Sequence, residues 1–193
     1  MQAEATKERI TSSARLLFAH AGYGATTIEA IAAKAGVAVQ TVYASFGSKK
    51  AILASIRQTW LRESRVAELS ERALRELDAA RRLEMAAEWT RRQYEGGFDV
   101  IRIYEGAASS SPEMAAELRA VLDGRKRAVA RFMQEFARLA ELAPALDLRR
   151  AADIYWALTM PGLYGELVLE RGWSPARYQE WLAGTLKQQL LRR

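Results

Sequence analysis

The chain has 193 residues, half of them hydrophobic and 27% charged, with 12 Gly, 4 Pro and no Cys. Such a composition belongs to a packed globular protein, and the lack of cysteine excludes disulfides, thiolate metal sites and thiol catalysis. The net charge of +6 is uneven, since the first 60 residues hold seven Lys or Arg against three acids and the remaining 133 hold 22 against 20.

A basic end favours a polyanionic partner, although charge alone also serves solubility. The N-terminus mixes Glu4, Lys7, Glu8 and Arg9 and offers no basic patch followed by an apolar run. No stretch approaches the roughly eighteen uncharged apolar residues of a membrane span. The expectation is a cytoplasmic protein with no membrane partner.

Ile10, Ala14, Leu17, Phe18 and Ala21 recur at helical spacing and predict a first helix over about 4 to 21. Gly22 and Gly24 stop it. Either Thr26 or Thr27 suits the N-cap of a short second helix through Ile31, Ala32 and Ala35, and Thr26 with Glu29 fits a capping box. Gly36 ends that helix, and a third begins at Ala38 or Val39. Two short helices joined by a tight glycine-containing turn form a helix-turn-helix unit. Val37, Val42 and Phe46 serve as its anchors, and Gly47 and Ser48 lead into a fourth helix carrying Ala51, Ile52, Ile56 and Trp60.

Beyond residue 60 the pattern predicts helices near 64 to 77, 79 to 95, 98 to 108, 112 to 141, 147 to 170 and 174 to 191. Gly96 and Gly97, Ser111 before Pro112, Pro144, and Ser174 before Pro175 mark the breaks. Pro161 falls inside the helix at 147 to 170 and should kink or split it. The expected fold class is all-α: a three-helix DNA-binding head at 1–47 and a larger helical body at 48–193.

A helix that reads the major groove presents short or hydrogen-bonding side chains outward and is flanked by groups that grip phosphate. Residues 36–50, GVAVQTVYASFGSKK, meet this requirement. Gln40 suits an adenine edge, Thr41 a base or phosphate, and Val39 a thymine methyl. The Tyr43 hydroxyl suits a phosphate oxygen, and Lys49 lies at the start of the fourth helix, where amides and ammonium could hold one phosphate.

Over residues 7 to about 53 the sequence resembles the TetR family of bacterial transcriptional regulators. The features that carry this run in order: Leu17-Phe18, Gly22-Tyr23, Thr26-Thr27-Ile28, Ile31-Ala32, Ala35-Gly36-Val37, Thr41-Val42-Tyr43, Phe46 and Ser48-Lys49. The resemblance implies that Thr27 is a phosphate-contacting cap, that Val39, Gln40 and Thr41 face bases, and that Tyr43 and Lys49 contact phosphate. Ala38 departs from the family's common capping Ser or Thr, and Val39 from a frequent Lys or Arg.

For the body, the resemblance implies a homodimer whose last two long helices build an intersubunit bundle, with Leu163, Leu167, Trp181, Leu182 and Leu186 as candidate interface residues. It also implies an effector pocket among the middle helices. Trp89, Tyr94, Phe98, Tyr104, Phe132, Trp156 and Tyr164 with Met114, Met133 and Met160 are candidates to line it, with Arg102 or Arg125 as a polar contact, although each aromatic taken singly better suits a plain core. Arg81-Arg82, Arg91-Arg92 and Arg125-Lys126-Arg127 read as solvated faces. His20, the one histidine, reads as structural or solvent-facing.

With no His pair at metal spacing, no G-x-S-x-G and no phosphate-cradling glycine loop, the chain is expected to be no enzyme and to need no cofactor or metal. The resulting expectation is a repressor that binds a near-palindromic double-stranded operator and is released by a small, largely apolar effector. The competing reading is a helical interaction or architectural DNA-binding protein without an effector.

Overall fold

In the computed structural model, which describes residues 2–139, 142–144 and 146–192, the head's helices are α1 (Gln2–Ala21), α2 (Ile28–Ala35) and α3 (Val39–Phe46). Ile10, Ala14 and Phe18 of α1 are fully buried, as the spacing predicts, while Ala21 is exposed. α1 packs on α2 and α2 on α3. Ile31 and Val42 supply the buried anchors of those two short helices.

The capping box is replaced by a simpler cap. Thr27 is the N-cap of α2 and its hydroxyl accepts from the Ala30 amide at 3.1 Å. Thr26 is buried and its hydroxyl donates backwards to the Gly22 carbonyl at 2.8 Å. Gly36 closes α2 at φ 64°, a left-handed conformation that glycine adopts without a Cβ penalty. The amides of Gly36 and Val37 then bond back to Ala33 and Ala32.

The remaining helices are α4 (Lys49–Glu63), α5 (Val66–Arg75), α6 (Ala79–Ser110), α7 (Pro112–Leu139), α8 (Leu148–Leu158), α9 (Pro161–Tyr164) and α10 (Pro175–Leu190), with a π-helical segment at Gly165–Glu170. The expected break at Gly96 and Gly97 is present as a kink: Gly97, at φ −162° and ψ 32°, leaves the helical conformation and separates two helical stretches within α6. The last two residues of the helix expected at 112–141 lie outside the described residues.

Pro161 does split the expected helix at 147–170, and the π-helical segment follows. Ser48, Asp147 and Ser174 cap α4, α8 and α10 through side-chain acceptors. Among the described residues there is no strand, and an isolated bridge joins Leu142 and Leu191. No described helix is long and apolar enough to cross a membrane.

The chain forms two compact units. One comprises Met1–Trp60 with Asp99–Ala120, and the other Leu61–Phe98 with Val121–Arg193. In the first, Ile52, Leu53 and Ile56 of α4 and Val100, Ile103 and Tyr104 of α6 join the head's buried residues. The second is centred on Leu83, Phe132, Met133, Phe136, Tyr155 and Tyr178.

Candidate functional site

On α3, Val42 is 1% exposed and faces the core, whereas Gln40 and Tyr43 are exposed and Val39 and Thr41 are half-buried. Tyr43 shows 51% of its surface, a high value for an aromatic ring on an eight-residue helix. A ring half of whose surface is exposed, with no hydrogen bond to its hydroxyl among the described residues, is available to a partner. Thr27 is also exposed, at the start of α2. Ala38, the N-cap of α3, makes no side-chain capping bond, so the first turn of that helix is held by backbone alone.

Lys49 corrects an expectation. Its ammonium donates to the carbonyls of Tyr23 at 2.7 Å, Thr26 at 2.9 Å and Gly24 at 3.4 Å, and lies 4.5 Å from the centre of the Tyr23 ring. An ammonium has three donors. All three are engaged on the turn between α1 and α2, so the side chain ties that turn to α4 and has no donor left for a phosphate. Partial burial lowers its pKa below the ordinary lysine value.

The first unit also holds two long-range ion pairs. The Arg15 guanidinium grips Asp99 of α6 through two bonds of 2.7 and 2.6 Å. Lys50 reaches Glu113 at 3.1 Å and Glu117 at 3.7 Å on α7, and its hydrogen bond to Glu113 raises its pKa. The first pair fastens α1, and the second α4, to later segments of the same unit.

Of the candidate effector residues, Tyr104 and Met114 are buried in the first unit. Trp89, Phe98, Phe132, Trp156, Met160 and Tyr164 belong to the second. There Phe132 meets Trp89 at 5.1 Å and Tyr155 at 5.2 Å, and Tyr164 meets Tyr94, Phe98 and Tyr178 at 5.6, 5.9 and 5.0 Å between ring centroids. Phe98 lies so close to Gly165 that a Cβ there would come within 2.7 Å of its ring.

Polar groups are set into this aromatic core. The Thr159 carbonyl at the end of α8 accepts from the Tyr94 hydroxyl at 2.5 Å and from the Arg125 guanidinium. Arg125 also donates to the Thr159 hydroxyl at 3.2 Å and stacks 4.7 Å from the centre of the Trp156 indole. The helix break supplies the physical reason: α8 ends at Thr159, and Met160 before Pro161 is extended, so the Thr159 carbonyl is an end carbonyl that takes side-chain donors. Burial pushes the phenols of Tyr94, Tyr155 and Tyr178 well above the usual tyrosine range, and the Arg125 charge opposes that rise in all three. Arg102, the other polar candidate, is exposed.

Two further expectations are corrected. Leu182 and Leu186 have no accessible surface within their own chain, so they serve its core and have nothing to offer a partner subunit. Leu163, Leu167 and Trp181 remain partly exposed. Arg82 is also no part of a solvated face. It is 4% exposed and donates to the carbonyls of Leu74, Glu76 and Glu135. A surface cleft of about 430 Å³ in the second unit is lined by Glu63, Ser64, Arg91, Arg92, Glu95 and Gly96, all outside the expected set.

An exposed reading surface on a short helix, anchored by one buried valine and preceded by a glycine turn, defines a helix-turn-helix DNA-binding regulator. Residues 10–56 match the model of the bacterial regulatory proteins of the tetR family.

The whole chain shares its fold with solved transcriptional regulators. A transcriptional regulator FadR from Bacillus subtilis in complex with stearoyl-CoA is 19% identical, with a TM-score of 0.73 over 93% of this chain and 96% of that one. A transcriptional regulator of the TerR/AcrR family from Aquifex aeolicus is 21% identical, with a TM-score of 0.72 over 95% and 98%. A Saccharomonospora viridis protein in complex with choline is 22% identical, with a TM-score of 0.68 over 97% and 98%. No curated protein sequence matches the chain.

Proposed function

We propose that this chain is a homodimeric repressor whose head, residues 1–47, places one α3 per subunit into successive major grooves of a near-palindromic operator. The body, residues 48–193, binds the small effector that releases it. The observation that carries the reading is the outward set on α3, with Gln40 and Tyr43 exposed beside a buried Val42. Val39, Gln40 and Thr41 read base edges, and Thr27 and Tyr43 hold phosphates. Lys49 contributes its main-chain amide at the first turn of α4, while its ammonium fixes the turn before α2.

Dimerisation follows from arithmetic, because one short reading helix discriminates weakly and two half-sites a helical turn apart multiply that discrimination. Leu163, Leu167 and Trp181, partly exposed and near the exposed Leu169, supply the apolar side chains of the interface. Release requires an effector that binds one state of the protein better than the other. The solved relatives in complex with stearoyl-CoA and with choline favour a small-molecule effector here, bound among the aromatic side chains of the second unit.

The test is a gel shift on the DNA upstream of the protein's own coding sequence, repeated across a salt series. The expected result is a specific complex whose affinity falls steeply with salt. Gln40→Ala should relax discrimination at particular base pairs by about 1–3 kcal/mol. Binding that ignores sequence would favour an architectural role, and no binding at all would end the regulator reading.

A further inference from the structure

The second unit holds a buried hydroxyl with no hydrogen bond and a half-buried guanidinium with no acid partner among the described residues. The Tyr178 hydroxyl is buried, in a residue with no accessible surface, and has no hydrogen-bond partner. Arg125 has no carboxylate within ion-pair distance among the described residues. Its positive charge is met by the Thr159 carbonyl and hydroxyl, the Met160 sulfur at 3.8 Å, the Trp156 indole face and the Tyr94 hydroxyl. Neither arrangement is self-sufficient. A buried hydroxyl seeks an acceptor, and a part-buried guanidinium seeks an anion with oxygens to fill its fork.

The acceptor already present cannot serve both. The Thr159 carbonyl is taken by the Tyr94 hydroxyl and by Arg125. The groups are linked through shared neighbours, since Tyr94 and Arg125 bond the same Thr159 carbonyl and the Tyr164 ring lies 5.6 Å from Tyr94 and 5.0 Å from Tyr178. Around them the surfaces are apolar rings, with Tyr164 5.0 Å from Tyr178.

We propose that this interior binds the carboxylate group of an effector with an apolar remainder, the carboxylate taking Arg125 and the Tyr178 hydroxyl as donors and the remainder lying against the aromatic rings. The proposal rests on the regulator reading and names the chemistry of its effector. A quaternary ammonium ligand is disfavoured, because Arg125 already occupies the Trp156 face and would repel a second cation. A purely apolar ligand would leave both donors as they are. Entry is on the side of Arg125, which is partly exposed, whereas Tyr178 is reached only when the core opens.

The experiment uses the full chain and matched probes: octanoate and benzoate as carboxylates, octanol and octyltrimethylammonium as controls. Binding is followed by melting temperature and by tryptophan fluorescence, with Trp156 stacked on Arg125 as an internal reporter. The expected result is a saturable response to a carboxylate and not to the controls. Tyr178→Phe should weaken carboxylate binding about tenfold or more, and Arg125→Gln should abolish it. Without ligand, Tyr178→Phe should melt within about 1 °C of the parent, since the hydroxyl has no bond to lose.

The proposal is overturned if neither carboxylate binds, if octanol or octyltrimethylammonium binds as well as octanoate, or if Tyr178→Phe leaves carboxylate affinity unchanged. It is also overturned if Tyr178→Phe alone lowers the melting temperature by several degrees, which would assign the hydroxyl to an internal water. Should Arg125→Gln fail to fold, Tyr178→Phe still decides the matter. Operator binding by the same preparations separates this outcome from the regulator reading: specific DNA binding with no carboxylate response sinks only the present proposal.

Discussion

In the head, capping side chains close their hydrogen bonds within a few residues, Thr27 on Ala30 and Ser48 on Ala51. In the second unit the important bonds are long in sequence: Tyr94 to Thr159 across 65 residues, Arg82 to Glu135 across 53 and Arg125 to Thr159 across 34. Local bonds fix the ends of short helices and leave the outer face of α3 free for a partner. Long-range bonds satisfy carbonyls at helix ends inside the unit, and they make the interior polar enough to recognise more than shape. One region presents a surface, and the other spends its polar groups on its own interior.

Perturbing each region in turn should sharpen that contrast. The largest effect is expected from Phe136→Ala, which removes a fully buried ring from the second unit and should cost about 3–5 kcal/mol in a denaturant titration. Arg82→Ala comes next, since it strips the donors from carbonyls of Leu74, Glu76 and Glu135 and should cost about 1.5–3 kcal/mol by the same measurement. Thr27→Ala, the local counterpart, should cost about 0.5–2 kcal/mol. If Thr27→Ala destabilises more than Arg82→Ala, the division into local and long-range bonding does not describe where stability lies. The smallest effect on folding belongs to Tyr43→Phe, which should leave the melting curve in place and weaken operator binding by about 0.5–1.5 kcal/mol across sequences alike, measured by fluorescence anisotropy.

The same contrast explains what could be read from the sequence. Helix positions and the turn at Gly36 follow from spacing and from caps a few residues away, and residues 10–56 carry enough of them in order to match the tetR-family model. Even there, Thr27 and not the Thr26–Glu29 pair caps α2, because Thr26 turns back to Gly22. Lys49 was legible as a lysine at a helix start, but the three carbonyls it binds lie 23 to 26 residues earlier and no local pattern announces them.

In the body, helices are legible and contacts are not. Leu182 and Leu186 share α10 with Trp181, and only the packing of α10 on α8 and the π-helical segment decides which side chains vanish into the core. Pro161 was the one usable signal for the interior site, because a proline within a helical pattern implies carbonyls that need outside donors. Its partners, Tyr94 and Arg125, come from α6 and α7 and could be named as candidates but not joined.

The uncapped start of α3 has a consequence for how this protein can change over generations. Ala38 contributes no side-chain bond, and Val39, Gln40 and Thr41 after it are at most half-buried, so the fold depends little on which residues occupy these positions. Surface substitutions of that kind usually fall within about 0.5 kcal/mol of neutral. A lineage can therefore rewrite these three residues one at a time without approaching the stability threshold that restrains the buried Val42 beside them. The weakest cap in the head marks the stretch of chain most open to acquiring a new target.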